Sequence, residues 1–128
     1  MHQELNKLKK LRDLTRKTAS YPSSSLVGSS SLEGLVYTVT GLTGEAGEIA
    51  NKLKKVLRKD PKYWEPMLCS ITGEALDAIT QELADVLWYV DSTAFHLGLT
   101  TGDLVAILCK KLEGRLGRGV IQGDGDAR

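Results

Sequence analysis

The chain reads as an all-α bundle of about four helices. Apolar residues recur at steps of three and four along three long stretches, the period of an amphipathic helix. No stretch alternates with the two-residue period of a half-buried strand. The prolines and the runs of serine fall between the periodic stretches rather than inside them.

Each element follows from that pattern. Residues 3–19 form a first helix, with Leu5, Leu8, Leu11 and Leu14 in one stripe and lysines and arginines opposite. Tyr21-Pro22-Ser23-Ser24-Ser25 breaks it, and the Ser/Gly-rich stretch through Ser31 is a loop. A second helix runs from about Glu33 to Arg58 on a seam of Leu35, Val39, Leu42, Ala46, Ile49, Leu53 and Val56, and Asp60-Pro61 ends it. Residues 60–72 are a long connection, with Pro61 and Pro66 bracketing Tyr63-Trp64. The third helix, about Glu74 to Leu97, carries Leu76, Ile79, Leu83, Val86, Val90, Ala94 and Leu97. Around Val86-Leu87-Trp88-Tyr89-Val90 it is apolar on nearly every side, which predicts a central, covered helix. Gly98 is its stop. Thr100-Thr101-Gly102-Asp103 is the pattern of a capping box opening a fourth helix through about Leu116. The glycine-rich end, 117–128, is expected to be irregular.

At 128 residues the chain fits a single domain, 1–128, with 41% hydrophobic and 26% charged residues. A net charge of +1 gives no global field toward nucleic acid or a membrane surface. No apolar run approaches the ~20 residues that cross a bilayer. Cys69 and Cys109 have no metal-type spacing and are expected to be small buried apolar residues in a reducing compartment. The expected location is the cytoplasm.

The most informative residues are two pairs of acids at helical spacing: Glu45-Ala46-Gly47-Glu48 and Glu82-Leu83-Ala84-Asp85. At about 100° per residue, each pair lies on one flank of its helix, beside the apolar seam. Either pair alone also reads as a solvated face, with Glu48 and Lys52 a weak i,i+4 ion pair. Both pairs sit mid-helix, however, where acids do not serve as caps. Gly44 and Gly47 interrupt the second helix beside them, each at a cost of up to ~1 kcal/mol against alanine, as if something approaches closely. Should the two helices pack side by side, four carboxylates face one volume and require a cation. Oxygen-only ligands suit Mg²⁺, with Mn²⁺ able to substitute, and leave room for a phosphate-bearing substrate. Neither histidine completes the ExxH pattern of di-iron bundles.

Gly41-Leu42-Thr43-Gly44-Glu45-Ala46-Gly47-Glu48, then Asn51-Lys52 and Lys55, then Glu82-Leu83-Ala84-Asp85-Val86-Leu87-Trp88-Tyr89, closely resemble the MazG-like family of all-α nucleoside triphosphate pyrophosphohydrolases. The resemblance covers roughly residues 15–128. It includes Lys111-Leu112, Arg115, Arg118-Gly119 and a tail like that of small, often phage-borne members. It implies Mg²⁺-dependent hydrolysis of a (deoxy)nucleoside triphosphate to the monophosphate and pyrophosphate. Glu45, Glu48, Glu82 and Asp85 would be the metal ligands, and one of them, Glu48 for preference, would accept a proton from the attacking water. Lys52 and Lys55 share the acid flank and are candidates for phosphate contacts, as are Lys111, Arg115, Arg118 and Arg128. Asn51 is a candidate for sugar or phosphate recognition. Of the aromatic pair, Tyr89 on the acid flank is the better candidate to stack on a base, whereas a mid-helix aromatic such as Trp88 reads as core. His96 reads as a packed or capping histidine.

Three departures from the family pattern stand out. Gly44 replaces a glutamate that many relatives carry, residues 60–72 lengthen the connection between the acid pairs, and Leu108 stands where many relatives have asparagine. Alternatives therefore remain: a diphosphatase narrow for one base serving phage DNA synthesis, or a helical interaction module without turnover. Apolar surface on several sides of the third helix, together with the resemblance, predicts a homodimer or homotetramer with the nucleotide near a subunit boundary.

Overall fold

The computed structural model describes residues 2–27, 32–59 and 71–119. Four helices account for nearly all of them: α1 (His2–Thr18), α2 (Leu32–Lys59), α3 (Gly73–His96) and α4 (Thr101–Gly117). No strand occurs among the described residues. The predicted element order and boundaries hold to within a residue or two. The expectations for residues 60–70 and for the tail beyond Gly119, Arg128 and Cys69 among them, lie outside the described residues.

α2 and α3 form the dominant pair, with α1 packed on α3 and α4. The pair runs antiparallel: Gly34 lies against His96, Gly41 against Tyr89, and Lys52 against Glu82. At Gly34 and Gly41 the approach is so close that a Cβ would overlap the facing ring. α3 ends where Gly98 takes φ +74°, a left-handed conformation that glycine adopts without strain. The Thr100 hydroxyl then accepts from the Asp103 N–H (3.1 Å), while the Asp103 carboxylate accepts from the Thr100 N–H (2.8 Å). This capping box starts α4 on a new course, 97° from α3. No single described helix is long and apolar enough to cross a membrane.

Period and face separate at this level. The α2 face turned to α3 is Gly34, Thr38, Gly41 and Glu45, all buried or half-buried, while Val39 and Ala46 from the expected seam are exposed. Small side chains let the two backbones close up, and the larger seam residues Leu35, Leu42, Ile49, Leu53 and Val56 are half-buried beside them. Leu5 and Leu14 of α1 are likewise exposed. α3 is covered on all sides only through its last turns, where Asp91, Ser92, Ala94 and His96 are buried; Leu76, Leu83 and Leu87 stand open. On α4, Val105, Leu108, Leu112 and Leu116 are exposed, and so is the free thiol of Cys109, against the expectation of burial. Tyr21 and Ala94 are the only buried hydrophobic side chains among the described residues.

Polar groups fill the remaining interior; those around His96 are partnered, whereas Arg16 Nε and Nη1, Asp91 Oδ2 and the Thr93 hydroxyl have no hydrogen-bond partner. The Leu26 carbonyl can only accept, so Nδ1 of His96 donates to it (2.8 Å), and Nε2 pairs with the Tyr21 hydroxyl (2.7 Å). Tyr21 also stacks on Tyr37 at 4.5 Å. The Trp88 indole N–H donates to the Thr18 hydroxyl at 2.9 Å, tying α3 to α1. His96 is thus a packed histidine and Trp88 a structural aromatic, as their positions in the sequence suggested.

Candidate metal centre

Midway along the α2–α3 pair, the antiparallel run brings Glu45 of α2 opposite Glu82 and Asp85 of α3. One carboxylate oxygen from each lies within 4.8 Å of the others. Glu45 and Glu82 are half-buried and Asp85 is exposed, so the group is rooted in the helix seam and opens to solvent.

The charges are strained. Partial burial raises the Glu45 carboxyl above the usual glutamate range, and hydrogen bonding to Glu82 together with the charges of Asp85, Glu82 and Glu48 pushes it the same way. Glu82 moves down instead, because the Lys52 ammonium sits 2.8 Å from its Oε1. Lys52 moves up for the same reason. One lysine therefore partly balances four neighbouring acids. A hard divalent cation would relieve the rest, and three oxygens this close are a donor set it accepts.

Glu48 stands one turn further along α2, exposed and outside the tight group of three, though near enough for its charge to act on Glu45 and Lys52. Asn51 is half-buried on the adjoining turn. Lys55, with Lys52 and Lys59, borders a cleft of about 370 Å³ beside Glu74 at the start of α3, which adjoins the acids through the Lys52–Glu82 pair. Tyr89 lies on the acid flank, where burial raises its hydroxyl pKa, reinforced by neighbouring Tyr37 and by the charge of Glu45. Gly41 makes the room for its ring.

The cations of α4 lie elsewhere in the protomer. α3 runs on for about 16 Å past Asp85, at 1.5 Å per residue, before the chain turns into α4 and away. Lys111 and Arg118 are exposed and Arg115 is half-buried. Within one chain these three are not gathered with the acids.

Tyr37 is the residue that sequence reasoning passed over. It is 46% exposed, stacks on Tyr21, and neighbours the Tyr89 hydroxyl. Its signal was present: Tyr37, Gly41 and Glu45 follow at four-residue steps on one side of α2.

Comparison with known proteins fits this arrangement. The sequence model of the MazG nucleotide pyrophosphohydrolase domain matches residues 35–118, spanning all four acids. The "Gene 37 protein" of Mycobacterium phage L5 is 44% identical over 111 residues, covering 87% of this chain and 90% of its own. No solved structure matches the chain.

Proposed function

Since this chain belongs to the MazG nucleotide pyrophosphohydrolase family, we propose that it hydrolyses (deoxy)nucleoside triphosphates at the α-phosphate, releasing a nucleoside monophosphate and pyrophosphate and so adjusting the nucleotide pool. The observation that carries this reading is the convergence of Glu45, Glu82 and Asp85 from two helices within 4.8 Å. Glu45, Glu82 and Asp85 would hold Mg²⁺, with Glu48 completing the set or accepting the proton of the attacking water. A bound divalent ion supplies charge neutralisation at the phosphoryl oxygens and a lowered pKa for water.

The chain's own groups position the rest. Lys52 balances Glu82 and, with Lys55, lies where the outgoing β- and γ-phosphates would extend. Asn51 and Tyr89 border the acids from opposite helices and are placed for the sugar, and the exposed face of Tyr37 offers a stacking surface to a base.

The acting species in this reading is a homodimer or homotetramer. Exposed Leu83 and Leu87 on α3, and Val105, Leu108, Leu112 and Leu116 on α4, are apolar rows that a second copy would cover. That arrangement would also bring Lys111, Arg115 and Arg118 to an acid group they do not reach in their own chain.

The test is pyrophosphate release from a panel of ribo- and deoxynucleoside triphosphates with Mg²⁺, with Mn²⁺ and with EDTA. Metal-dependent release that disappears in Asp85→Asn supports the assignment. Inorganic phosphate as the sole product, or no turnover on any nucleotide, overturns it. Multi-angle light scattering at micromolar concentration tests assembly, and a strictly monomeric profile removes the subunit-boundary site.

A further inference from the structure

Lys52 has two neighbours that one ammonium does not serve at once. Its Nζ lies 2.8 Å from Oε1 of Glu82, across the seam between α2 and α3. The same side chain borders the cleft of about 370 Å³ that Lys55 and Lys59 line from α2, together with Ala75 and Ala78 of α3. Glu82 in turn belongs to the three acids whose oxygens lie within 4.8 Å of one another. A divalent ion held by those acids would put two positive charges beside the ammonium, and like charges at such spacing repel strongly.

The pairing is of a kind that is readily given up. The Lys52 side chain is 30% exposed and that of Glu82 15%, so water reaches both partners and the bond by itself contributes little. Lysine carries its charge as a point on a flexible four-carbon stem, without a planar fork to fix a carboxylate in one geometry. Because the side chain already borders the cleft, leaving Glu82 takes side-chain rotation alone and no movement of α2.

We propose that Lys52 is an exchangeable counter-ion. It holds Glu82 while the acid group lacks a metal, and it turns into the cleft beside Lys55 and Lys59 when a divalent ion takes its place. The cleft then offers a polyphosphate tail three lysines in the metal-loaded protein and two without the metal, so ion and tail strengthen each other's binding. The inference rests on the reading of Glu45, Glu82 and Asp85 as a metal centre. A Lys52 that instead stayed on Glu82 and oriented it toward the ion would change metal affinity in the opposite direction.

Mn²⁺ alone, titrated calorimetrically into the whole protein, is the first probe. Lys52→Met should bind it at least fivefold more tightly than wild type, because no cation has to be displaced. Lys52→Arg should bind it at least threefold more weakly, since a guanidinium fork grips both oxygens of a carboxylate. Lys59→Met, which removes the same charge farther along α2, should stay within twofold. The second probe reads the wild-type side chain itself, as the rate at which an N-hydroxysuccinimide ester acylates Lys52, followed by peptide mass spectrometry. Saturating Mg²⁺ should raise that rate at least threefold and leave Lys59 unchanged. Weaker Mn²⁺ binding by Lys52→Met overturns the exchange, as does affinity in Lys52→Arg equal to or above wild type. Acylation of Lys52 that Mg²⁺ leaves unchanged or slows overturns it too. Wild-type protein that binds no Mn²⁺ overturns the metal centre itself, and this inference with it. If Lys52→Met does not fold, the acylation rates still decide.

Discussion

The two ends of the α2–α3 pair are built on opposite terms. At the His96 end, the imidazole is buried and matched: His96 has partners at both ring nitrogens, the fully buried Thr38 hydroxyl donates to the Leu35 carbonyl, and Gly34 admits the ring. At the Glu45 end, three carboxylates share a small open volume with one lysine, and their mutual repulsion shows in the raised Glu45. The same small-residue seam thus serves stability at one end and stored electrostatic strain at the other. A site meant to take up a cation is expected to be least comfortable without it.

The sharpest way to break this contrast is to remove charge at the acid end. Asp85→Asn should lower metal-dependent pyrophosphate release by roughly a hundredfold or more, about 3 kcal/mol of transition-state stabilisation. The melting temperature of the metal-free protein should hardly change, because Asp85 is exposed. A large drop in melting temperature with activity per folded molecule intact would reverse the assignment of the two ends.

His96→Ala should do the converse. It leaves a cavity and orphans the Tyr21 hydroxyl, costing about 2–4 kcal/mol in urea unfolding. Turnover per folded molecule should stay within a few-fold of wild type.

Two glycines sharpen the comparison further. Gly34→Ala and Gly41→Ala each drive a methyl into a facing ring, at about 1–3 kcal/mol. Only Gly41→Ala should also reduce activity, by about tenfold or more, because the ring it moves is Tyr89 beside Glu45. Equal activity losses would mean that the two ends are not separable.

A smaller effect concerns pH. Glu45 is raised in the folded state, so the native protein holds its proton longer than the unfolded chain. This group's contribution to stability is present at acid pH and is lost as pH rises from about 4.5 through the elevated folded value. Glu82 is lowered by Lys52, and its contribution is lost as pH falls through its folded value, so the two partly cancel. Mg²⁺ competes with the proton on Glu45, and the Mg²⁺-induced rise in melting temperature should therefore be larger at pH 8 than at pH 5. A rise that does not change with pH would place the ion away from Glu45.

The smallest effect is expected at Gly44 and Gly47, where a Cβ meets nothing within 4 Å in the chain. Alanine there should stabilise the helix by about 0.5–1 kcal/mol each in thermal unfolding. Loss of turnover alongside that gain would show that substrate or a second copy uses the open space.

Much of this was readable from the chain. The helix limits, the Thr100–Asp103 capping box and the Gly98 stop depend on neighbours within a few residues, and they match. The acids at 45, 82 and 85 were legible because the three-residue spacing within each pair sets a shared flank whatever the helix packs against. The expected seam on α2 is half-buried at Leu35, Leu42, Ile49, Leu53 and Val56 but exposed at Val39 and Ala46. Period analysis finds where bulky apolar residues lie, but Gly34, Thr38 and Gly41 determine how near α3 comes, and close backbone packing favoured that smaller face. Tyr37 and the buried Asp91–Thr101 hydrogen bond were missed because their significance comes from contacts that no local pattern encodes.

By itself, then, the sequence determined the number of helices, where each begins and ends, and which acids share a flank, since these follow from short-range hydrogen bonding and a fixed helical pitch. Tertiary structure alone decided which flanks meet, that Glu45 is pressed against Glu82 and Asp85 while Glu48 stands outside, and that α4 carries its cations away from them. Those outcomes depend on how closely two helices can pack and at what angle a turn redirects the chain, and both are set by atoms far apart in sequence.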